Sequence, residues 1–311
     1  MHINLFKILK IFLISISFFL FLDSTIGKYA YKKFIVKNLP DIDLKELSAR
    51  DAIYDHKVAT NYNSLVGWGD KRYKFCTDDN GFRTSCDKKD KNLKNFDIAF
   101  IGYSFTEGTG YKYEETFVGI IERKLSNKKI ANLGLSSYSP SIYLTKIKKL
   151  LNNGYKFKEI IVFVDISDLV DDTLCYKVID NIKVVRRSTF PDCFKNFNNS
   201  SFDDVSSLSI NHMEKLYSLL NENSINLSVA VYPWPGTLKF DNEKNLQVKI
   251  WKKFCINKCS KFYNFMPQFF SEINNNDFYN SYKKIFIEGD IHFNEYGNRI
   301  IAENFILKYN E

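Results

Sequence analysis

Residues 97–110 read DIAFIGYSFTEGTG: an apolar run that stops at Gly102, then a serine in a glycine-rich turn. The run reads as a buried strand. Gly102 before Ser104, and Gly108 and Gly110 after it, permit the tight, left-handed backbone of a sharp reversal. The segment EETF at 114–117 opens a helix whose N–H groups and positive dipole end would face the serine side chain. Two readings of Ser104 stand at this point. It is a turn former, the ordinary use of serine in such a turn, or a nucleophile held at the tip of a strand.

Downstream of Asp97, short apolar runs alternate with helical patterns, the signature of parallel β-α-β units. The runs are 97–102, 129–135 (KIANLGL), 159–166 (EIIVFVDI), 225–232 (INLSVAVY) and the weaker 283–289 (KKIFIEG), which predicts about five strands. Between the second and third, Ser139 and Pro140 start a helix, Leu144, Ile147 and Leu151 mark one face, and Gly154 stops it. Residues 173–205 show no period and read as an insertion. Asn294 caps a closing helix carrying Ile300, Ile301 and Phe305. In an open parallel sheet, chemistry gathers at the carboxyl ends of the strands.

The chain has 311 residues, 45% of them hydrophobic, enough for one large core and a smaller appendage. At the start, Lys7 and Lys10 precede twelve uncharged residues, Ile11 to Leu22, so residues 1–29 read as an export signal or an N-terminal membrane anchor. Residues 30–95 are polar and irregular, a membrane-proximal region or cover, and the main domain runs from 96 to 311. Six cysteines fall into three locally close pairs, Cys76 with Cys86, Cys175 with Cys193, and Cys255 with Cys259. That pattern predicts a disulfide framework and an oxidising compartment, the periplasmic side of the inner membrane; reduced, partly buried thiols are the alternative. Cys255 and Cys259 would lie one helical turn apart, about 6 Å between Cα atoms, within disulfide reach. The net charge of +8, from 44 basic and 36 acidic residues, is spread along the chain as on a solvated surface. There is no phosphate-binding loop, RNA-binding signature or zinc-finger spacing, so nucleic acid is excluded as a partner.

A nucleophilic serine needs a base, and the chain offers four histidines: His2, His56, His212 and His292. His2 lies in the export segment, His56 in the irregular region, and His212 at an apparent helix start with a solvent-facing role. His292 lies between the last strand-like run and the last helix, in IEGDIHFNEYGN. In extended backbone, residues two apart project to the same side, so Asp290 can hold the His292 ring in the tautomer a general base requires. A turn histidine and a loop carboxylate are the plainer readings of each residue alone.

Taken together, GYSFTEG at 102–108 and GDIHFNEYGN at 289–298 resemble the first and last conserved blocks of the SGNH (GDSL-like) hydrolases and their acyltransferase relatives. The likeness spans roughly residues 97–307. It implies a flavodoxin-like, three-layer α/β/α fold with about five parallel strands. It also implies a catalytic set of Ser104, His292 and Asp290, with an oxyanion hole drawn from Ser104, Ser137 and Ser167. Three departures mark the chain. Tyr103 stands where the family has an acid before its serine. In NLGLSS at 132–137, Ser137 takes the oxyanion glycine's place, which keeps a backbone N–H. In DISD at 165–168, Ser167 replaces an asparagine whose side-chain amide is a donor, a loss worth on the order of 100- to 1000-fold in rate unless another group substitutes. The motif YPWP at 232–235 places Trp234 after the fourth strand, as a pocket wall beside Tyr103 or as core packing. Asp165 and Asp168 read as solvated rim carboxylates or as groups hydrogen-bonded to loop backbone. No metal-ligand spacing is present and no cofactor is called for.

The implied activity is a serine-dependent acyl-ester hydrolase or acyltransferase acting on an acylated carbohydrate or small ester, with O-acetyl groups of cell-envelope glycans the expected substrate. Two alternatives stay open: a non-catalytic envelope module of the same fold that binds glycan or protein, and a lysophospholipase-like lipid esterase.

Overall fold

The computed structural model describes residues 5–27, 47–88, 93–180, 183–188, 192–197 and 201–310. The chain divides into two compact units, Met1–Ile42 and Asp43–Glu311. In the first, Leu5–Leu22 is an α-helix that runs into a π-helical turn over Asp23–Gly27. Among the described residues no helix is long and apolar enough to cross a membrane, so the anchor expectation gains no support here.

The second unit opens with a hairpin of β1 (Ser48–Asp51) and β2 (Asp55–Val58). Then come β3 (Asn63–Trp68), β4 (Lys71–Thr77), β5 (Arg83–Thr84), β6 (Asn95–Gly102), β7 (Ile130–Asn132) and β8 (Lys156–Val164). A second hairpin, β9 (Tyr176–Ile179) with β10 (Lys183–Arg186), precedes β11 (Asn226–Val231) and β12 (Lys261–Asn264). Eight strands form one sheet in the order β12-β11-β8-β6-β7-β5-β4-β3. From β12 to β7 it is parallel. Numbering only those five in chain order gives 2-1-3-4-5, the flavodoxin-like doubly wound arrangement, with its switch point between β6 and β8.

Both faces of this sheet are covered, which is why its strands read as unbroken apolar runs. Side chains alternate between two cores. Ala99, Ile101, Ile160, Val162 and Val229 join one core, with Ile142 and Ile147 of helix Pro140–Asn152, Met213 and Leu216 of helix Phe202–Glu222, and Trp251 of helix Leu246–Phe254. Ile98, Phe100, Ile161, Phe163 and Ala230 join the other, with Val118 and Ile121 of helix Phe117–Lys124 and Ile301 and Phe305 of helix Glu295–Asn310. The result is a three-layer α/β/α body.

Four of the five expected strands lie where the apolar runs stand. The fifth does not: 283–289 spans the end of helix Phe278–Ile285 and the turn after it, and the fifth parallel strand is β12. Lys283 and Lys284 suit a helix's last turn, where cations meet the negative dipole end. β12 has four residues at the sheet edge and buries only Tyr263 fully, so it carries little apolar signal. The irregular texture before residue 95 conceals β3, β4 and β5, which extend the sheet antiparallel through the pairing of Arg83 with Asn132.

All six cysteines pair as read: Cys76–Cys86, Cys175–Cys193 and Cys255–Cys259, with Cα separations of 5.2, 5.0 and 4.8 Å. The second ties the β9–β10 hairpin to the 3₁₀ turn Asp192–Phe197 within the insertion; residues 181–182, 189–191 and 198–200 of that insertion lie outside the described residues. In the third, Cys255 follows the last residue of helix Leu246–Phe254 and accepts from the Cys259 amide (3.2 Å), a turn continuing past the helix end.

Candidate active site

Ser104 is the first residue of a one-turn helix, Ser104–Glu107, directly beyond β6. The Tyr103 carbonyl accepts from the amides of Thr106 and Glu107 (3.0 Å each), and Gly108 closes the turn at φ 84. Ser104 thus opens a short turn of its own, and the helix that follows EETF, Phe117–Lys124, has its first amide bonded to Asn298 Oδ1 (2.9 Å). Close packing explains the glycines: a Cβ at Gly102 would lie 2.6 Å from the Phe163 carbonyl oxygen, and one at Gly108 would lie 2.2 Å from Thr116 Cγ2. The turn is held from outside by Arg83, a buried guanidinium that donates to the carbonyls of Glu107, Gly108 (2.7 Å) and Tyr111. Glu107, also buried, accepts from the amide (2.9 Å) and hydroxyl of Ser136 and so fastens the turn to the loop after β7.

The segments around 104 and 292 meet. Ser104 Oγ lies 2.7 Å from His292 Nε2, and His292 Nδ1 lies 2.6 Å from Asp290 Oδ1. Both Ser104 and His292 are buried. With the carboxylate on Nδ1, the ring proton sits there and leaves the Nε2 lone pair to face the serine hydroxyl. Asp290 also accepts from the His292 amide (3.0 Å). The Tyr282 hydroxyl clasps this loop, accepting from the Asp290 amide and lying 2.8 Å from the Asp290 carbonyl. Burial would push the Asp290 carboxyl up. Hydrogen bonds from the His292 ring and amide, the charge of the imidazolium and a bond from Trp68 outweigh burial and hold it well below the usual carboxylate range.

That last donor was invisible in the sequence. Trp68, at the end of β3, places its indole N–H 2.5 Å from Asp290 Oδ2 and its ring edge-on to His292, 5.1 Å between centroids. Phe105 packs on the imidazole from another side, at 5.0 Å.

The expected oxyanion residues differ in what they have to offer. The Ser104 amide opens a helix and has no intrahelical acceptor; neither it nor the Ser137 amide finds a protein acceptor among the described residues. Ser137 holds φ at 62, the left-handed region usually reserved for glycine, in keeping with the residue it replaces. Ser167 is otherwise engaged: its amide goes to Asp165 Oδ1 (2.9 Å) and its hydroxyl to Asp171 Oδ2 (2.8 Å). The side-chain donor implied for position 167 is therefore not on offer in this arrangement.

Asp165 and Asp168 are not solvated rim carboxylates but fully buried ones that bind loop backbone, Asp165 accepting from the Ser167 amide (2.9 Å) and Asp168 from the Asp165 amide (2.6 Å). Asp165 accepts from the Tyr232 hydroxyl (3.0 Å) and the Trp234 indole (2.9 Å), and Asp168 from the Tyr143 hydroxyl (3.0 Å). Burial pushes Asp165, Asp168 and Asp171 up, against these bonds. Trp234 is half-buried, with its N–H committed to Asp165 and its ring against the core. Tyr103 is half-buried, its hydroxyl 3.5 Å from Ser137 Oγ. Tyr103, Ser137, Asp171, Tyr176 and Arg186 line a narrow slot of about 10 Å³ beside the serine turn, while larger hollows of about 840 and 550 Å³ lie elsewhere on the surface. Among the described residues no cluster of three potential metal ligands is formed.

Two other histidines depart from expectation. His212 is in the middle of helix Phe202–Glu222, buried, with Nδ1 2.7 Å from Asp172 Oδ2. His56 lies in β2, with Nδ1 2.8 Å from Asp55 and Nε2 2.7 Å from the carbonyl of Ser136.

No family model matches the chain, and no curated protein matches it. Solved structures do, among them lipolytic proteins of the G-D-S-L family and esterases. The chain is similar to a lipolytic protein of the G-D-S-L family from Veillonella parvula (15% identity, TM-score 0.47, over 69% of this chain and 98% of the other). It is similar also to a catalytic mutant of an acetylxylan esterase from Geobacillus stearothermophilus (9%, 0.46, over 70% and 94%). A third likeness is to the psychrotrophic esterase EstA from Pseudoalteromonas sp. (11%, 0.43, over 70% and 99%).

Proposed function

We propose that the protein is a serine-dependent acyl-ester hydrolase or acyltransferase. The observation that carries this reading is the continuous series Ser104 Oγ, His292 Nε2, His292 Nδ1 and Asp290 Oδ1, with hydrogen-bond lengths of 2.7 and 2.6 Å. Ser104 Oγ attacks an ester carbonyl as His292 Nε2 takes its proton, and Asp290 orients the ring and stabilises the imidazolium. The oxyanion of the tetrahedral intermediate is received by the backbone N–H groups of Ser104 and Ser137. Collapse expels the alcohol, which takes the proton from His292, and leaves an acyl group on Ser104. Water then completes a hydrolysis, or a sugar hydroxyl a transfer.

The substrate within this proposal is an O-acetyl group on a cell-envelope glycan. Support comes from the resemblance of the 102–108 and 289–298 blocks to the SGNH hydrolases and their acyltransferase relatives, together with the expected envelope location. Three disulfides support an oxidising compartment; on that basis the protein is exported to the periplasmic side of the inner membrane, its amino-terminal segment serving as a cleaved signal or a tether. Sequencing the amino terminus of the mature protein tests that part.

One observation favours a second reading, a glycan- or protein-binding module without activity: both donors of Ser167 are spent inside the acidic cluster. A fluorophosphonate probe separates the two. Labelling of the full chain that disappears in Ser104→Ala supports the enzyme, whereas polysaccharide binding with neither labelling nor turnover of p-nitrophenyl acetate supports the module.

A further inference from the structure

The catalytic proposal uses groups on two loops of the main domain, yet a third segment reaches the same point. Trp68 is the last residue of β3, 222 residues before Asp290 in the chain. Its indole N–H is 2.5 Å from Asp290 Oδ2, while Oδ1 is occupied by the ring and the amide of His292. An indole nitrogen is a donor only, so the direction of this bond is fixed. The ring is 38% exposed, so packing alone does not account for its position, and it stands edge-on to the imidazole. The hairpin is tied down on both sides of the tryptophan. β3 and β4 pair from Asn63 with Cys76 to Trp68 with Lys71, Cys76 is bonded to Cys86, and Lys71 donates to the Tyr111 hydroxyl (2.8 Å) beyond the serine turn.

Resting on the reading of Ser104 as nucleophile, we propose that Trp68 is a positioning residue of the active site. It supplies the second oxygen of Asp290 with a donor and blocks rotation of His292, so the amino-terminal hairpin completes the catalytic set. Two carboxylate oxygens each anchored by a donor keep the Asp290 plane fixed, and a fixed plane keeps Nε2 aimed at Ser104. Removing the indole donor leaves the carboxylate more basic. It then stabilises the imidazolium further, and the ring holds its proton to higher pH. The groups packed against His292 are Asp290, Ser104, Trp68 and Phe105, with the Tyr282 hydroxyl on the Asp290 backbone.

The test is Trp68→Phe, which keeps an apolar ring and deletes the donor, made in the full chain. The second-order rate of fluorophosphonate labelling at neutral pH is expected to fall on the order of tenfold, as for one hydrogen bond to a charged group. The acid limb of its pH profile is expected to move to higher pH, and the His292 ring resonances in NMR to titrate later by the same amount. A merely structural clasp would lower stability without moving either titration. An unchanged His292 titration in folded Trp68→Phe overturns the proposal whatever the rate does. Loss of labelling in Ser104→Ala reads the catalytic proposal separately, and the NMR titration needs no turnover, so failure of one is distinguishable from failure of the other.

Discussion

Three described histidines each lie within 2.8 Å of an aspartate, His292 with Asp290, His212 with Asp172 and His56 with Asp55, and their other contacts separate them. On His292 the far nitrogen meets a serine hydroxyl. On His56 it meets the Ser136 carbonyl. A carbonyl oxygen only accepts, as does the carboxylate on Nδ1, so neither nitrogen of His56 is placed to take a proton from a hydroxyl. In the His212 pair the aspartate is shared: Asp172 also accepts from the Ser139 hydroxyl (2.6 Å) and the Ser141 amide (2.9 Å), capping helix Pro140–Asn152. That pair is a buried clasp between two helices. The lesson is that a histidine beside a carboxylate is a common structural device, and the partner of the second nitrogen decides whether it is a base.

The largest effects are expected at Ser104 and His292. Alanine at either should lower ester turnover and probe labelling about 10⁴-fold or more, while His212→Ala keeps the rate per folded molecule. Equal losses at His292 and His212 would undo the distinction. Asp290→Asn is expected to cost about 10⁴-fold in kcat by presenting His292 with an amide in place of a carboxylate. Because hydrogen bonds hold Asp290 ionised far into acid, the acid limb of activity reports the imidazole and not the carboxylate; a limb that follows Asp290 instead would contradict this. His212→Ala strands a buried Asp172 and should reduce stability by about 3 kcal/mol in urea unfolding. His56→Gln is milder: a loss of about 1 kcal/mol from the Ser136 contact and a rate within about fivefold of the parent.

A pH effect concerns the loop that carries Ser137. Lys146 is buried beneath it, donating to the Leu133 carbonyl (2.9 Å) and lying 4.7 Å from the centre of the Tyr138 ring. Burial pushes its amine down to about 7, against about 10.4 in an unfolded chain. Between those values the unfolded chain binds more protons, so the Lys146 contribution to stability grows as pH rises from about 7 to about 10. Urea unfolding at pH 7 and pH 9.5 should show the parent gaining on Lys146→Met across that interval. A constant difference would mean that the amine stays charged in the fold across the whole interval.

Legibility in the sequence followed the range of each interaction. β6, the serine turn and the His292 loop were readable because each is a local pattern: a strand's apolar run, glycines where backbones touch, and a carboxylate two residues from a histidine. The closing helix was readable through Asn294, whose side chain accepts from the amides of Tyr296 and Gly297 within one turn. β12 was missed because an edge strand with one fully buried side chain has almost no alternation to read. His212 was misplaced because its partner, Asp172, lies 40 residues away and a helical wheel does not show what covers a polar position. Ser167 matched a motif position, yet the buried Asp171 beside it takes the hydroxyl, a competition that no spacing reveals.

By itself the sequence determined that alternating runs build a doubly wound sheet, that Ser104 stands beyond a strand's carboxyl end, and that Asp290 reaches His292, since backbone periodicity and near-neighbour contacts are written residue by residue. Only the tertiary structure decided which of several paired histidines faces the serine, 188 residues away, and brought Trp68 from an irregular stretch onto the same carboxylate. A hydrogen bond requires two groups within about 3 Å in a set orientation, and for segments so far apart that condition is met only by the packed sheet and helices between them.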